Sequence, residues 1–133
     1  MFLLDTNIVS DAGKRRAPVE SWLATKESSN LFISVITLGE ISRGVTMKAR
    51  RDPVAASHIG RWLETTRAVF ADRILDVTDK IALEWGRISA LRTRGDADGL
   101  IAATARVHGL TLVTRNVADF ADAGVAIVNP WGG

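Results

Sequence analysis

The first seven residues constrain this chain most tightly. The apolar run Phe2-Leu3-Leu4 stops at Asp5, and Thr6 and Asn7, both common at helix starts, follow at once. Such a run reads as a short buried strand whose end turns directly into a helix. The same pattern recurs along the chain. Leu31-Phe32-Ile33 meets Ser34, a suitable cap for a helix running to about Met47. Leu110-Thr111-Leu112-Val113 precedes Asn116, which opens a short helix, and Val125-Ala126-Ile127-Val128 reads as a final strand.

Helical segments fill the intervals. Pro18 suits the first turn of a helix through Trp22 and Leu23, and Ile59, Trp62, Leu63 and Phe70 mark an amphipathic helix from Pro53 to Phe70. Arg73 to Val77 is a strand or a bare connector. Thr78 caps the next helix, with Ile81, Trp85, Ile88 and Leu91 turned inward. Leu100 to Ala105 is apolar nearly all round, as in a helix covered on several sides, and Gly109 is a natural stop. Strands alternating with helices specify an α/β fold, a central parallel β-sheet flanked by α-helices.

A chain of 133 residues without internal repeat or linker is expected to form a single domain over residues 1–133. With 47% hydrophobic and 24% charged residues, disorder is excluded as a reading. The absence of cysteine rules out a disulfide framework, thiolate zinc sites and cysteine nucleophiles. Met1 to Leu4 is too short for a signal-peptide core, and no apolar run approaches membrane-helix length, so a cytoplasmic location without membrane contact is expected. A net charge of +2 argues weakly for a nucleic-acid partner. The local clusters Lys14-Arg15-Arg16, Lys48-Ala49-Arg50-Arg51 and Arg92-Thr93-Arg94 could track a phosphate backbone, receive an acidic partner, or be solvated helix ends.

In open parallel sheets, ligands collect outside the carboxyl ends of the strands. Asp5 falls at such an end, Asp98 begins the apolar helix, and Asp119 follows the strand ending near Val113-Thr114. Glu40 lies on its helix away from the stripe of Val35, Leu38, Ile41 and Val45, and could reach the same edge. Carboxylates gathered this closely repel one another, and a divalent cation relieves the repulsion.

Each acid also has a local explanation. Asp5 serves equally well as a helix cap, Glu40 as a solvated surface carboxylate, and Asp98 as a first-turn acid favoured by the helix dipole. Asn116 and Asp119 have the spacing of a reciprocal cap. Of Asp96 and Asp98, one is expected to cap the helix and Asp98 to join the site. His58 and His108 are expected to be structural or exposed, and Trp22, Trp62 and Trp85 to be core or interface.

Leu4-Asp5-Thr6-Asn7, Thr37 to Ile41, Asp98 to Ala105 and Leu112 to Phe120 resemble, in order and spacing, the successive motifs of PIN-domain proteins. Within that group the chain is similar to the VapC or FitB type of toxin from bacterial toxin–antitoxin pairs, down to Asn129-Pro130-Trp131. The resemblance implies a PIN-like fold and a Mg2+- or Mn2+-dependent endoribonuclease, usually a homodimer, held inactive by a small VapB-like antitoxin and meeting DNA only through it. By position, Asp5, Glu40 and Asp98 match the family's acidic ligands, and Asp119 matches its more variable fourth acid. These acids would hold one or two ions and serve catalysis. Thr6, Asn7, Thr114 and Asn116 match the polar residues beside them, which orient ligands, water or substrate. In-line attack by a water activated at the site is expected to leave a 5′-phosphate and a 3′-hydroxyl. Asp96 departs from the pattern, since a neutral residue often stands there.

Other readings of the acids are a phosphoacceptor signalling domain and a haloacid-dehalogenase-like phosphatase. The first wants an acidic neighbour to Asp5 and a late lysine, but the last lysine is Lys80; the second wants an acid where Asn7 stands. The remaining alternative is a PIN-like scaffold that binds RNA or a partner without cutting.

Overall fold

Leu3 and Leu4 are consecutive and both buried, yet they belong to different cores, because successive strand side chains point to opposite faces of a sheet. The fold follows from that division. In the computed structural model, which describes residues 1–132, the strands are β1 (Phe2–Leu4), β2 (Leu31–Ser34), β3 (Ile74–Leu75), β4 (Thr111–Val113) and β5 (Ile127–Val128). They form one parallel sheet in the order β3-β2-β1-β4-β5. Leu3 and Leu112 pack on one face with Ile81, Ile88, Ile101 and Phe120. Leu4 and Val113 pack on the other with Ile8, Val19, Ile33 and Ile41.

The helices are α1 (Thr6–Gly13), α2 (Ala17–Ala24), α3 (Val35–Ala49), α4 (Pro53–Val69), α5 (Asp79–Leu91), α6 (Asp96–His108) and α7 (Val117–Phe120). Their starts use the expected chemistry: the Ser34 hydroxyl accepts from Ile36 N at 3.0 Å and the Thr78 hydroxyl from Ile81 N at 3.3 Å. Gly109 closes α6 in the left-handed region, φ 64°. In α6, Ile101 to Ala105 are all buried, and the Thr104 hydroxyl inside that run is satisfied by Leu100 O at 2.7 Å.

The chain runs outward from β1 through β2 to β3, then returns to the opposite side of β1 with β4. Strand order therefore reverses between β1 and β4, and the crevice outside their carboxyl ends is the ligand position of an open parallel sheet. Asp5 and Thr114 stand there, directly after the two strands.

Three expectations change. Leu91 is 64% exposed rather than inward: it is the last residue of α5, and the chain leaves the helix at an extended Arg92. Leu110 and Val125 lie outside the strands, so β4 and β5 are shorter than their apolar runs. Neither Asp96 nor Asp98 caps α6; Gly95 holds that position without a side-chain bond, and both acids sit in the first turn.

Helix α6, which carries Asp98, meets α5 closely at Gly99. A Cβ there would come 2.9 Å from Trp85 Cδ1 and 3.0 Å from its Nε1. Gly99→Ala is therefore expected to destabilise the fold by about 1–3 kcal/mol through overpacking, read as a lower urea midpoint at unchanged m-value.

Candidate functional site

Asp5 is only 3% exposed, and its oxygens are held from three directions. Oδ1 accepts from Thr6 N at 2.8 Å, so Asp5 does cap α1. Oδ2 accepts from the Thr114 hydroxyl at 2.8 Å and from Asn7 Nδ2 at 3.1 Å. Capping and site membership are thus compatible at this residue. Because the Thr114 proton is given to Asp5, its oxygen accepts from Asn116 N at 3.0 Å. The four polar residues singled out in the sequence divide accordingly: Asn7 and Thr114 grip Asp5, Asn116 supports Thr114, and Thr6 reaches elsewhere.

The Thr6 hydroxyl donates to Glu40 Oε1 at 2.5 Å. It also lies 3.0 Å from the Thr37 hydroxyl. A carboxylate only accepts, so the Thr6 proton points to Glu40 and Thr37 donates to Thr6. Thr37 is completely buried; the sequence placed it in the Thr37 to Ile41 motif but assigned it no role. Its available signal was position: it precedes Glu40 by three residues and so shares its face of α3. Glu40 itself is exposed but tethered.

Electrostatics joins the acids. Burial, and then the Asp98 and Glu40 carboxylates, push Asp5 up to about 6 against the pull of its hydrogen bonds from Thr114 and Thr6. Asp98 is also raised, first by burial and then by Asp119 and Glu40, with the Arg94 guanidinium opposing. Asp119 is exposed on α7. The reciprocal cap expected at Asn116 does not form: the Asn116 side chain makes no cap bond, and its backbone N–H is taken by Thr114. Local capping therefore does not account for Asp119. Asp96 is exposed at the start of α6.

These donors are all carboxylate oxygens, the set that hard cations such as Mg2+ or Mn2+ prefer over softer metals. Among the described residues, no three Asp, Glu or His side chains are close enough to enclose an ion alone. A cation at this edge would complete its shell with water and a phosphate oxygen, as Mg2+ commonly does.

The basic clusters have separate fates. Arg92 Nη1 and Arg94 Nη2 both bond Asp122 Oδ1, at 3.1 and 2.7 Å, and Arg92 also bonds Ala118 O at 3.1 Å. They fasten the connector before α6 to the segment carrying Asp119. Lys14 and Lys48 instead line a groove of about 600 Å3 with Thr6, Glu40, His58 and Trp62. His58 is exposed and pairs with Arg61 at 2.7 Å, and His108 is exposed at the end of α6. Trp22, Trp62 and Trp85 are half-buried against the two cores.

A five-stranded parallel sheet with acids at its switch point fits a PIN-like α/β protein. The chain belongs to the PIN domain family, whose model matches residues 2–125. It is 36% identical to the toxin FitB of Neisseria gonorrhoeae over 139 residues, covering 98% of this chain and 99% of that protein. It is 30% identical to a VapC ribonuclease of Sinorhizobium fredii over 138 residues, covering 98% of each. The crystal structure of FitAcB from Neisseria gonorrhoeae matches all of both chains, with a TM-score of 0.87 and 32% identity.

The raised Asp5 has a consequence for folding. The folded state binds its proton more tightly than the unfolded chain, whose carboxyl titrates near 3.8. This contribution to stability is complete below pH 3.8 and is lost as pH rises through about 6. The metal-free protein is accordingly expected to lose up to about 3 kcal/mol through Asp5 from below pH 3.8 to pH 7, of which about 1 kcal/mol falls between pH 5 and 7. Millimolar Mg2+ or Mn2+ should reverse the loss at pH 7. Calorimetric melting at both pH values, with and without the cation, reads the effect.

Proposed function

We propose that this chain is a divalent-metal-dependent endoribonuclease and the toxin half of a bacterial toxin–antitoxin pair. The observation that carries the reading is the Asp5 carboxylate, buried at the switch point in the grip of Thr6, Asn7 and Thr114, with the Asp98 and Glu40 charges adding to the rise of its proton affinity. A cluster of repelling acids disfavours the empty fold and is relieved by cation binding. The toxin and ribonuclease names of full-length relatives support the same class.

Asp5, Asp98 and Glu40 would hold Mg2+ or Mn2+, one ion or two, with Asp119 as a fourth acid beside Asp98. The bound cation supplies a nucleophile at neutral pH and charge stabilisation for the phosphoryl transition state. The chain's own residues prepare that chemistry. Thr114 and Asn7 fix Asp5, while Thr37 and Thr6 fix Glu40. Asp119 and Asn116, exposed at the rim, orient the attacking water, and the groove flanked by Lys14 and Lys48 leads the RNA backbone towards Glu40. No histidine is needed for this chemistry: His58 lines the groove paired with Arg61, and His108 is exposed at the end of α6. The working unit is a cytoplasmic homodimer neutralised by a small VapB-like antitoxin, with DNA contacted only through that antitoxin.

End-group analysis of cut RNA tests the mechanism: 5′-phosphate and 3′-hydroxyl ends are expected, and 2′,3′-cyclic phosphates would sink it. Asp98→Asn should lower cleavage by about 100-fold or more, on the scale of losing a charge-stabilising group at a reacting centre, while circular dichroism stays native. Undiminished cleavage by that variant, or a wild type that cuts equally well in EDTA, would contradict the reading.

A further inference from the structure

Asp11 lies on α1 one helical turn beyond Asn7 and is only 4% exposed, yet the proposed chemistry does not use it. Its Oδ2 accepts from the Trp131 indole Nε1 at 3.0 Å and pairs with Arg115 Nε at 3.1 Å. The Arg115 guanidinium also lies 5.8 Å from the centroid of the Trp131 ring. Helix α1, the loop after β4 and the segment after β5 thus meet at one buried carboxylate oxygen. Withdrawing either partner leaves that charge less compensated away from water.

The knot holds the loop that surrounds Asp5. While the Arg115 side chain turns to Asp11, its backbone N–H donates to Asn7 Oδ1 at 3.3 Å. That bond decides which end of the Asn7 amide faces the site. With Oδ1 taken by Arg115, Nδ2 is presented to Asp5 Oδ2 at 3.1 Å; a reversed amide would set oxygen against carboxylate. Thr114 and Asn116, on either side of Arg115, complete the grip on Asp5.

We infer that Asp11, Arg115 and Trp131 are positioning residues that hold the Asn7 amide and the 114–116 loop so that Asp5 keeps the orientation needed to bind a divalent cation. The inference rests on the metal-binding reading of Asp5 and adds to it a relay reaching the far end of the chain.

Calorimetric titration of RNA-free protein with Mn2+ tests it, alongside melting of the metal-free forms. Trp131 is 42% exposed, so Trp131→Phe removes the indole donor with little loss of packing. The variant should bind Mn2+ about 10-fold more weakly, as expected for a residue supporting a ligand, and melt within a few degrees of wild type. Asn7→Ala should weaken binding too, and adding Trp131→Phe to it should cost little more, because both act through one amide. Arg115→Lys, which keeps charge but not the fork, should fall between wild type and Trp131→Phe. Wild-type Mn2+ affinity in Trp131→Phe and Arg115→Lys would overturn the inference while leaving the metal site standing, as would fully additive losses in the double variant. A wild type that binds no Mn2+ would overturn the metal reading of Asp5 and the relay with it.

Discussion

Everything at the working edge depends on keeping one carboxylate, Asp5, out of water. Its place is set by the sheet: β1 is the strand at which the order reverses, so the residue after Leu4 stands between two crossovers that leave in opposite directions. Burial there penalises the charge. Hydrogen bonds from Thr114 and Thr6 offset part of the penalty, and the Asp98 and Glu40 carboxylates increase it, leaving the net rise to about 6. The apolar faces on both sides of the sheet must supply the difference. An arrangement that weakens the empty fold is understandable where a cation or substrate supplies the missing charge.

The supporting side chains are arranged by donor capacity as much as by distance. Thr37 can give its proton only because Thr6 gives its own to Glu40, and Thr114 can receive from Asn116 because its proton goes to Asp5. Each hydroxyl thereby has one defined orientation. The scaffold beneath is rigid where it has to be. Helix α6 presents Asp98 from a helix whose Ile101 to Ala105 are wholly buried, and it approaches α5 closely through Gly99 against Trp85.

What the sequence made legible was local. Asp5 at a strand end, Asp98 at the start of an apolar helix, and Glu40 off the core stripe all follow from periods of two and 3.6 residues and from parallel topology. What escaped depends on partners distant in sequence. Thr37 matters through Thr6, and Asp11 is buried because Arg115 and Trp131 come to it. The Asn116–Asp119 spacing promised a reciprocal cap, but the Thr114 hydroxyl competes for the same backbone N–H and takes it. Leu91 followed the helical stripe on paper, yet lies where α5 ends and no neighbour covers it.

Charge distribution makes the last step. Net charge is only +2, so in the proposed enzyme recognition of a polyanion would come from where the basic groups stand. Near Asp98, Arg92 and Arg94 share Asp122, and Arg94, almost wholly buried and bonded through Nη2 alone, also moderates the rise of Asp98. On the other side of the acids, Lys14 and Lys48 line the open groove that reaches Thr6 and Glu40. For the proposed enzyme, the groove over α1 and α3, where Lys14 and Lys48 stand with Glu40, is the side on which a phosphate backbone would meet basic groups beside the acids. Glu40 is exposed and held by Thr6, so in the proposed enzyme the acid tethered on α3 is the one placed to meet both cation and incoming strand.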